Sequence, residues 1–162
     1  MRRVIVNSTP LIALSNIGKL DLLRLLYNEI YIPQAVYHEV CEKNDTASKI
    51  LNQSLNWIHI VPIEHPENYA LYRAKLHAGE IEVMILAQEN PRADLLIIDD
   101  NAAKKTAKFL GLPVVGTMGV LVKAKQSGII DEVAPLLDTL KINGFYISNQ
   151  VIQIVLKQAG EI

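Results

Sequence analysis

Short runs of buried-type residues alternate along this chain with longer segments in which apolar residues recur three and four positions apart. The runs at 4–6, 29–32, 57–61 and 95–98 are rich in β-branched residues and end on turn or helix-start residues, which predicts strands. A two-residue run at 114–115, after Pro113, predicts a short fifth. Helical spacing covers 11–17, 20–27, 35–42, 81–88, 102–110, 118–126, 132–140 and 149–159. Gly111, Gly128 and Gly160 supply left-handed stops, and Ser148 supplies an N-cap. Strand then helix, repeated, predicts an α/β fold with a mostly parallel sheet of four to five strands. The polar stretch 42–48 reads as a mobile surface loop, and no internal repeat or long linker divides the chain.

Ligands of open parallel sheets bind in the crevice beyond the carboxyl ends of the strands. Asp99 and Asp100 fall there, where the run 95–98 stops and a lysine-bearing helix begins. Asn7 after the first strand, Glu39 on the helix after Pro33, and Glu80 and Glu82 after Gly79 fit the same description. Each glutamate alone reads as a solvated helix residue, favoured in a first turn by the helix dipole. Either aspartate alone reads as an N-cap, but one cap uses one aspartate, which leaves the second to explain. If the acids converge, mutual repulsion raises their pKa values unless a hard cation holds them, and an all-oxygen set suits Mg2+ or Mn2+. Such ions activate water and neutralise charge on a phosphodiester.

Composition narrows the setting. The 162 residues, 50% hydrophobic and 6% aromatic, suit one domain, 1–162, with an aliphatic core. Sixteen basic against seventeen acidic residues leave a net charge of -1, so any contact with a polyanion is local. The lone Cys41 excludes an internal disulfide and is compatible with a reducing compartment. Asn7, Ser8, Thr9 and Pro10 break the first apolar run at once, and no span approaches the roughly 20 apolar residues of a membrane helix. A first strand is therefore expected rather than a leader, with no membrane partner and a cytoplasmic location.

The segments 4–14, 32–40, 79–82 and Asp99-Asp100 with Lys104, joined by Gly111-Leu112-Pro113-Val114-Val115-Gly116-Thr117, resemble the PIN domain, in a prokaryotic subfamily related to VapC-type toxins. The resemblance runs in order from the first strand to at least Gly128. It implies a three-layer α/β/α sandwich and an Mg2+- or Mn2+-dependent ribonuclease, possible toxin of a toxin-antitoxin pair. It implies Asn7, Glu39, Glu80 and Asp100 as site members with Asp99 beside them, and Glu82 as a further metal ligand. Lys104, Ser8, Thr9 and Thr117 follow as contacts for single-stranded or structured RNA.

One departure stands out, because the family's first acid is replaced by Asn7, whose amide oxygen coordinates without contributing negative charge. Three readings of that change stay open: a weakened nuclease, a degenerate PIN module that only binds RNA or protein, or a substitution that disarms a harmful active form.

Other signals are weaker. Lys105 and Lys108 read as a solvated face, and His38 with Cys41 lacks a second pair for zinc. Gly116-Thr117-Met118-Gly119 lacks the spacing of a P-loop and reads as a strand-to-helix turn. Apolar residues cover too much of the helices at 20–27 and 149–159 for one core face. The C-terminal helices, about 131–160, are thus expected to pack on the domain or at a homodimer interface, and an antitoxin helix is a further expected partner.

Overall fold

The computed structural model describes residues 3–43, 45–89 and 95–162. Strands β1 (Val4–Val6), β2 (Ile30–Pro33), β3 (Ile58–Val61), β4 (Leu95–Ile97) and β5 (Val114–Val115) form one sheet in the order β3-β2-β1-β4-β5. Every pairing among the described residues is parallel, in registers such as Ile5 with Tyr31, Val6 with Ile97 and Leu96 with Val114. A parallel sheet is covered on both faces, so its central strands carry no polar alternation. Val4, Ile5 and Val6 in β1 and Leu95, Leu96 and Ile97 in β4 are accordingly all buried.

The connections are helices α1 (Ser8–Asn16), α2 (Asp21–Tyr27), α3 (Gln34–Cys41), α4 (Thr46–Asn52), α5 (Ala78–Glu89), α6 (Asn101–Phe109) and α7 (Thr117–Gln126), with α8 (Ala134–Ile142) and α9 (Asn149–Gln158) closing the chain. A 3-10 helix, Pro66–Leu71, precedes α5. Helices flank the parallel sheet as in an α/β/α sandwich. No helix among the described residues is long and apolar enough to cross a membrane.

Several elements differ from the sequence expectation: α5 starts at Ala78 rather than residue 81, α8 is shifted to Ala134–Ile142, the 3-10 helix was not expected, and two further differences have a clear local cause. The first helix starts at Ser8 rather than residue 11, because Pro10 falls in its first turn, where a backbone N–H has no intrahelical acceptor to lose. Within the stretch expected as a loop, 42–48, Asn44 lies outside the described residues, and Asp45 caps α4 by accepting from Ser48 N at 3.2 Å. Ala47 and Leu51 on that helix are buried, so α4 packs on the core despite its polar start.

Helices α3, α7 and α8 begin after Pro33, Gly116 and Val133, whose side chains cannot cap them. In each case a distant carboxylate takes one or two of the N–H groups at the helix start. Glu82 accepts from Ala35 N at 3.1 Å, Asp99 from Thr117 N at 2.7 Å, and Glu161 from Val133 N at 2.6 Å and Ala134 N at 3.0 Å. The Val133 hydrogen bond is the main reason the Glu161 carboxyl sits below its ordinary pKa, and Lys125, 3.0 Å away, adds to it. That tie fastens the C-terminal segment to α7 and α8. Leu20, Leu22 and Leu23 are buried, whereas Leu25, Val151 and Ile154 remain 59%, 39% and 51% exposed.

Candidate functional site

β1 sits at the centre of the sheet, and the chain winds first toward β3 and then, after α5, toward β5. The reversal opens a crevice beyond the carboxyl ends of β1 and β4, the place where such sheets hold ligands. There the structure forms a cavity of about 350 Å³ walled by Asn7, Glu39, Glu80, Asp99 and Asp100. Ser8, Thr9 and His77 complete it. A wider groove of about 850 Å³ shares Glu39 and His77 and includes His38 and Cys41.

Asn7 follows β1 and occupies the N-cap position of α1, yet its side chain makes no capping bond. The residue is 3% exposed, and its Oδ1 has no hydrogen-bond partner among the described residues. Asparagine is among the best capping residues, so an Asn7 side chain that does not cap its own helix is informative. Its Oδ1 and Glu39 Oε2 both overhang Gly79, where an added Cβ would lie 3.4 Å from the first and 2.9 Å from the second. Gly79 lets α5 approach α3 closely enough to bring Glu39 over the start of α5.

Glu80 is 8% exposed and accepts from His77 N at 2.9 Å. Burial pushes its carboxyl above the ordinary value; the His77 hydrogen bond opposes this, while the Asp100 and Glu39 charges reinforce it. Asp100 caps its own helix α6, with Oδ2 accepting from Ala103 N at 2.9 Å. Its orientation is thereby fixed while its second oxygen makes no bond within the described chain. Asp99 uses both oxygens on Thr117, taking Thr117 N at 2.7 Å and Thr117 Oγ1 at 2.6 Å. Gly116 leaves room beside that pair, since a Cβ there would come within 2.8 Å of Asp99 Oδ1 and 2.9 Å of Lys104 Nζ.

The expected residues thus separate. The structure brings Asn7, Ser8, Thr9, Glu39, Glu80, Asp99 and Asp100 to one cavity. Glu82 is not among its walls: one oxygen takes Ala35 N and the other the Tyr69 hydroxyl, whose own pKa is raised by burial and by Glu82. Thr117 is fully buried and bonded to Asp99, which makes it the holder of that carboxylate. Lys104 stands beside Asp99 at Gly116. His77 lines the cavity as well; its place two residues before Gly79 allows a cleft position, although a surface histidine is the commoner outcome for such a residue.

No three His, Cys, Asp or Glu side chains among the described residues form a ready-made metal cage. The donors nonetheless fit a hard divalent ion, which commonly binds through one or two carboxylates while retaining several waters. Glu39, Glu80, Asp100 and the unpartnered Asn7 Oδ1 supply oxygen donors of that kind around one cavity.

An acid-lined crevice at the switch point of a five-stranded parallel sheet places the chain among the α/β proteins whose ligands bind beyond the carboxyl ends of the strands. The family model described as DUF3368, PIN domain, matches residues 3–161, and the chain belongs to this PIN-domain family. The PIN domain is generally a nuclease fold associated with RNA, and its members typically use divalent metal ions. No curated protein matches the chain.

Proposed function

We propose that this PIN domain is an Mg2+- or Mn2+-dependent ribonuclease that hydrolyses RNA phosphodiesters in the cavity of Asn7, Glu39, Glu80 and Asp100. The observation that carries the reading is Asn7 Oδ1, a buried acceptor without a donor, in the same cavity as a buried glutamate pressed by two other carboxylates. One cation relieves both costs. When bound, a divalent ion supplies activation of a water and neutralisation of phosphate charge.

The chain's own residues prepare that chemistry. The Ala103 and His77 N–H groups hold Asp100 and Glu80 so that an uncommitted oxygen of each serves the cavity. Thr117 fixes Asp99, and Lys104 beside it holds a neighbouring phosphate as a point charge. Ser8 and Thr9 line the RNA path. The finer reading is a VapC-like toxin held in check by an antitoxin and paired as a homodimer through apolar positions such as Leu25, Val151 and Ile154. A second reading, a catalytically degenerate module that binds RNA or protein, is favoured by the neutral Asn7.

Incubation with single-stranded and transfer RNA separates the two. Cleavage is expected only with Mg2+ or Mn2+, absent in Glu39→Ala and Asp100→Ala, and enhanced along with metal affinity in Asn7→Asp. RNA binding without turnover at any metal concentration, in both wild type and Asn7→Asp, would replace the nuclease with the binding module.

A further inference from the structure

A second cavity, of about 180 Å³, opens between α1 and the end of α8. It neighbours the acidic cavity, and Thr9 lines both. Its floor is apolar, made by Ile12, Ala13 and Leu140, and its rim carries Asn16, Asn143 and Phe145. No charged side chain lines it among the described residues. A phosphate subsite would want cations and a metal subsite carboxylates or imidazoles, and neither is present in the lining. Amides beside an aromatic ring and an apolar floor instead match a planar, uncharged group with hydrogen-bonding edges. The volume amounts to roughly six water molecules' worth of space, that of a ring rather than a chain segment.

The rim is held rigidly. Gly144, at a φ of +90°, ends α8 in a left-handed turn; its N–H donates to Lys141 O at 3.0 Å and that of Phe145 to Leu140 O at 2.9 Å. This paired closure fixes the direction in which Phe145 leaves the helix. Asn143 Nδ2 donates to Thr139 O at 2.8 Å, which turns the amide and leaves its Oδ1 without a partner in the described chain. A nucleobase edge offering a donor complements that oxygen, and the Phe145 ring offers the stacking surface that bases use on single-strand binding proteins.

We propose that this cavity is a nucleobase subsite that receives a base of the RNA next to the scissile phosphate, stacked by Phe145 and read by Asn143 and Asn16. The subsite rests on reading the neighbouring cavity as an RNA site. It makes the protein selective for the base at one position, with Thr9 as the threshold between the phosphate and the base.

The test is equilibrium binding, in EDTA, of short labelled oligomers of A, of C and of U to the full chain, followed by cleavage of the same oligomers with Mn2+. Wild type is expected to favour one oligomer over the weakest by about tenfold. Asn143→Ala and Phe145→Leu are expected to flatten that preference while the thermal melt stays cooperative. Phe145→Ala is expected to weaken the favoured oligomer by about tenfold. Equal affinity of wild type for all three, no binding to any, or an unchanged preference in both Asn143→Ala and Phe145→Leu would overturn the subsite. Base-selective binding abolished by these variants, with no cleavage under any metal condition, would uphold the subsite and remove the nuclease reading.

Discussion

The start of α5 and the junction of β4 with α6 each carry two acids, and the fold divides each pair in the same way. In α5, Glu82 gives both oxygens to the fold, one to Ala35 N and one to the Tyr69 hydroxyl, whereas Glu80 accepts only from His77 N. At the junction, Asp99 gives both oxygens to Thr117, whereas Asp100 accepts only from Ala103 N. One member of each pair ties elements together and the other keeps an oxygen for the cavity. The two regions differ in burial: Glu80 is 8% exposed and its charge is disfavoured, while Asp100 is open to solvent. What an acid does here follows from the number of bonds the fold draws from it, more than from its place in a motif.

The largest effect expected from this division is on activity. Glu80→Gln keeps an acceptor for His77 N but removes a negative charge from the cavity, and metal-dependent RNA cleavage should fall on the order of 100-fold. Glu82→Gln should leave cleavage near wild type, because that carboxylate faces α3 and Tyr69. Cleavage rates at saturating Mn2+ provide the comparison. An equal loss in both variants would mean that α5 does not divide its acids as described.

The parallel sheet was legible because the strands are short, mostly apolar runs followed by turn or helix-start residues, and Asn7 and Asp100 were legible because strand ends point to the crevice, with Glu39 on the helix that follows the second strand. What stayed hidden were the long-range caps. Glu82 lies 47 residues from Ala35 and Asp99 lies 18 from Thr117, so neither partner falls within reach of a local pattern. The second aspartate, unexplained by one cap, caps a second helix. The start of α4 was hidden differently, since Asp45-Thr46-Ala47-Ser48 is at once a capping signal and a polar stretch. Phe145 and Asn143 were invisible as a pair with Thr9 because their meeting depends on how α8 folds back on α1.

Stability distinguishes the aspartates next. Asp99→Ala strands the N–H and hydroxyl of the fully buried Thr117 and should cost about 3 kcal/mol. Asp100→Ala removes one exposed N-cap and should cost about 1 kcal/mol, partly offset by relief of its repulsion with Glu80. Urea denaturation of the metal-free proteins measures both. If Asp100→Ala proved the more destabilising, Asp99 would not be the structural member of the pair.

The smallest effect is a pH dependence that isolates Glu80. Because its pKa is raised in the folded protein, chiefly by burial, the folded state holds a proton that the unfolded state releases near the ordinary value of 4.5. Its contribution to stability is therefore full below 4.5 and is lost as pH rises through the raised folded value. In EDTA, the melting temperature of wild type should decline across that window relative to Glu80→Gln, which carries no titrating group at the position. Mg2+ should reduce the decline, since a cation stabilises the ionised carboxylate that burial penalises. Parallel curves for wild type and Glu80→Gln would show that the Glu80 carboxyl is not strained in the folded state, and the contrast with the exposed Asp100 would then reduce to geometry alone.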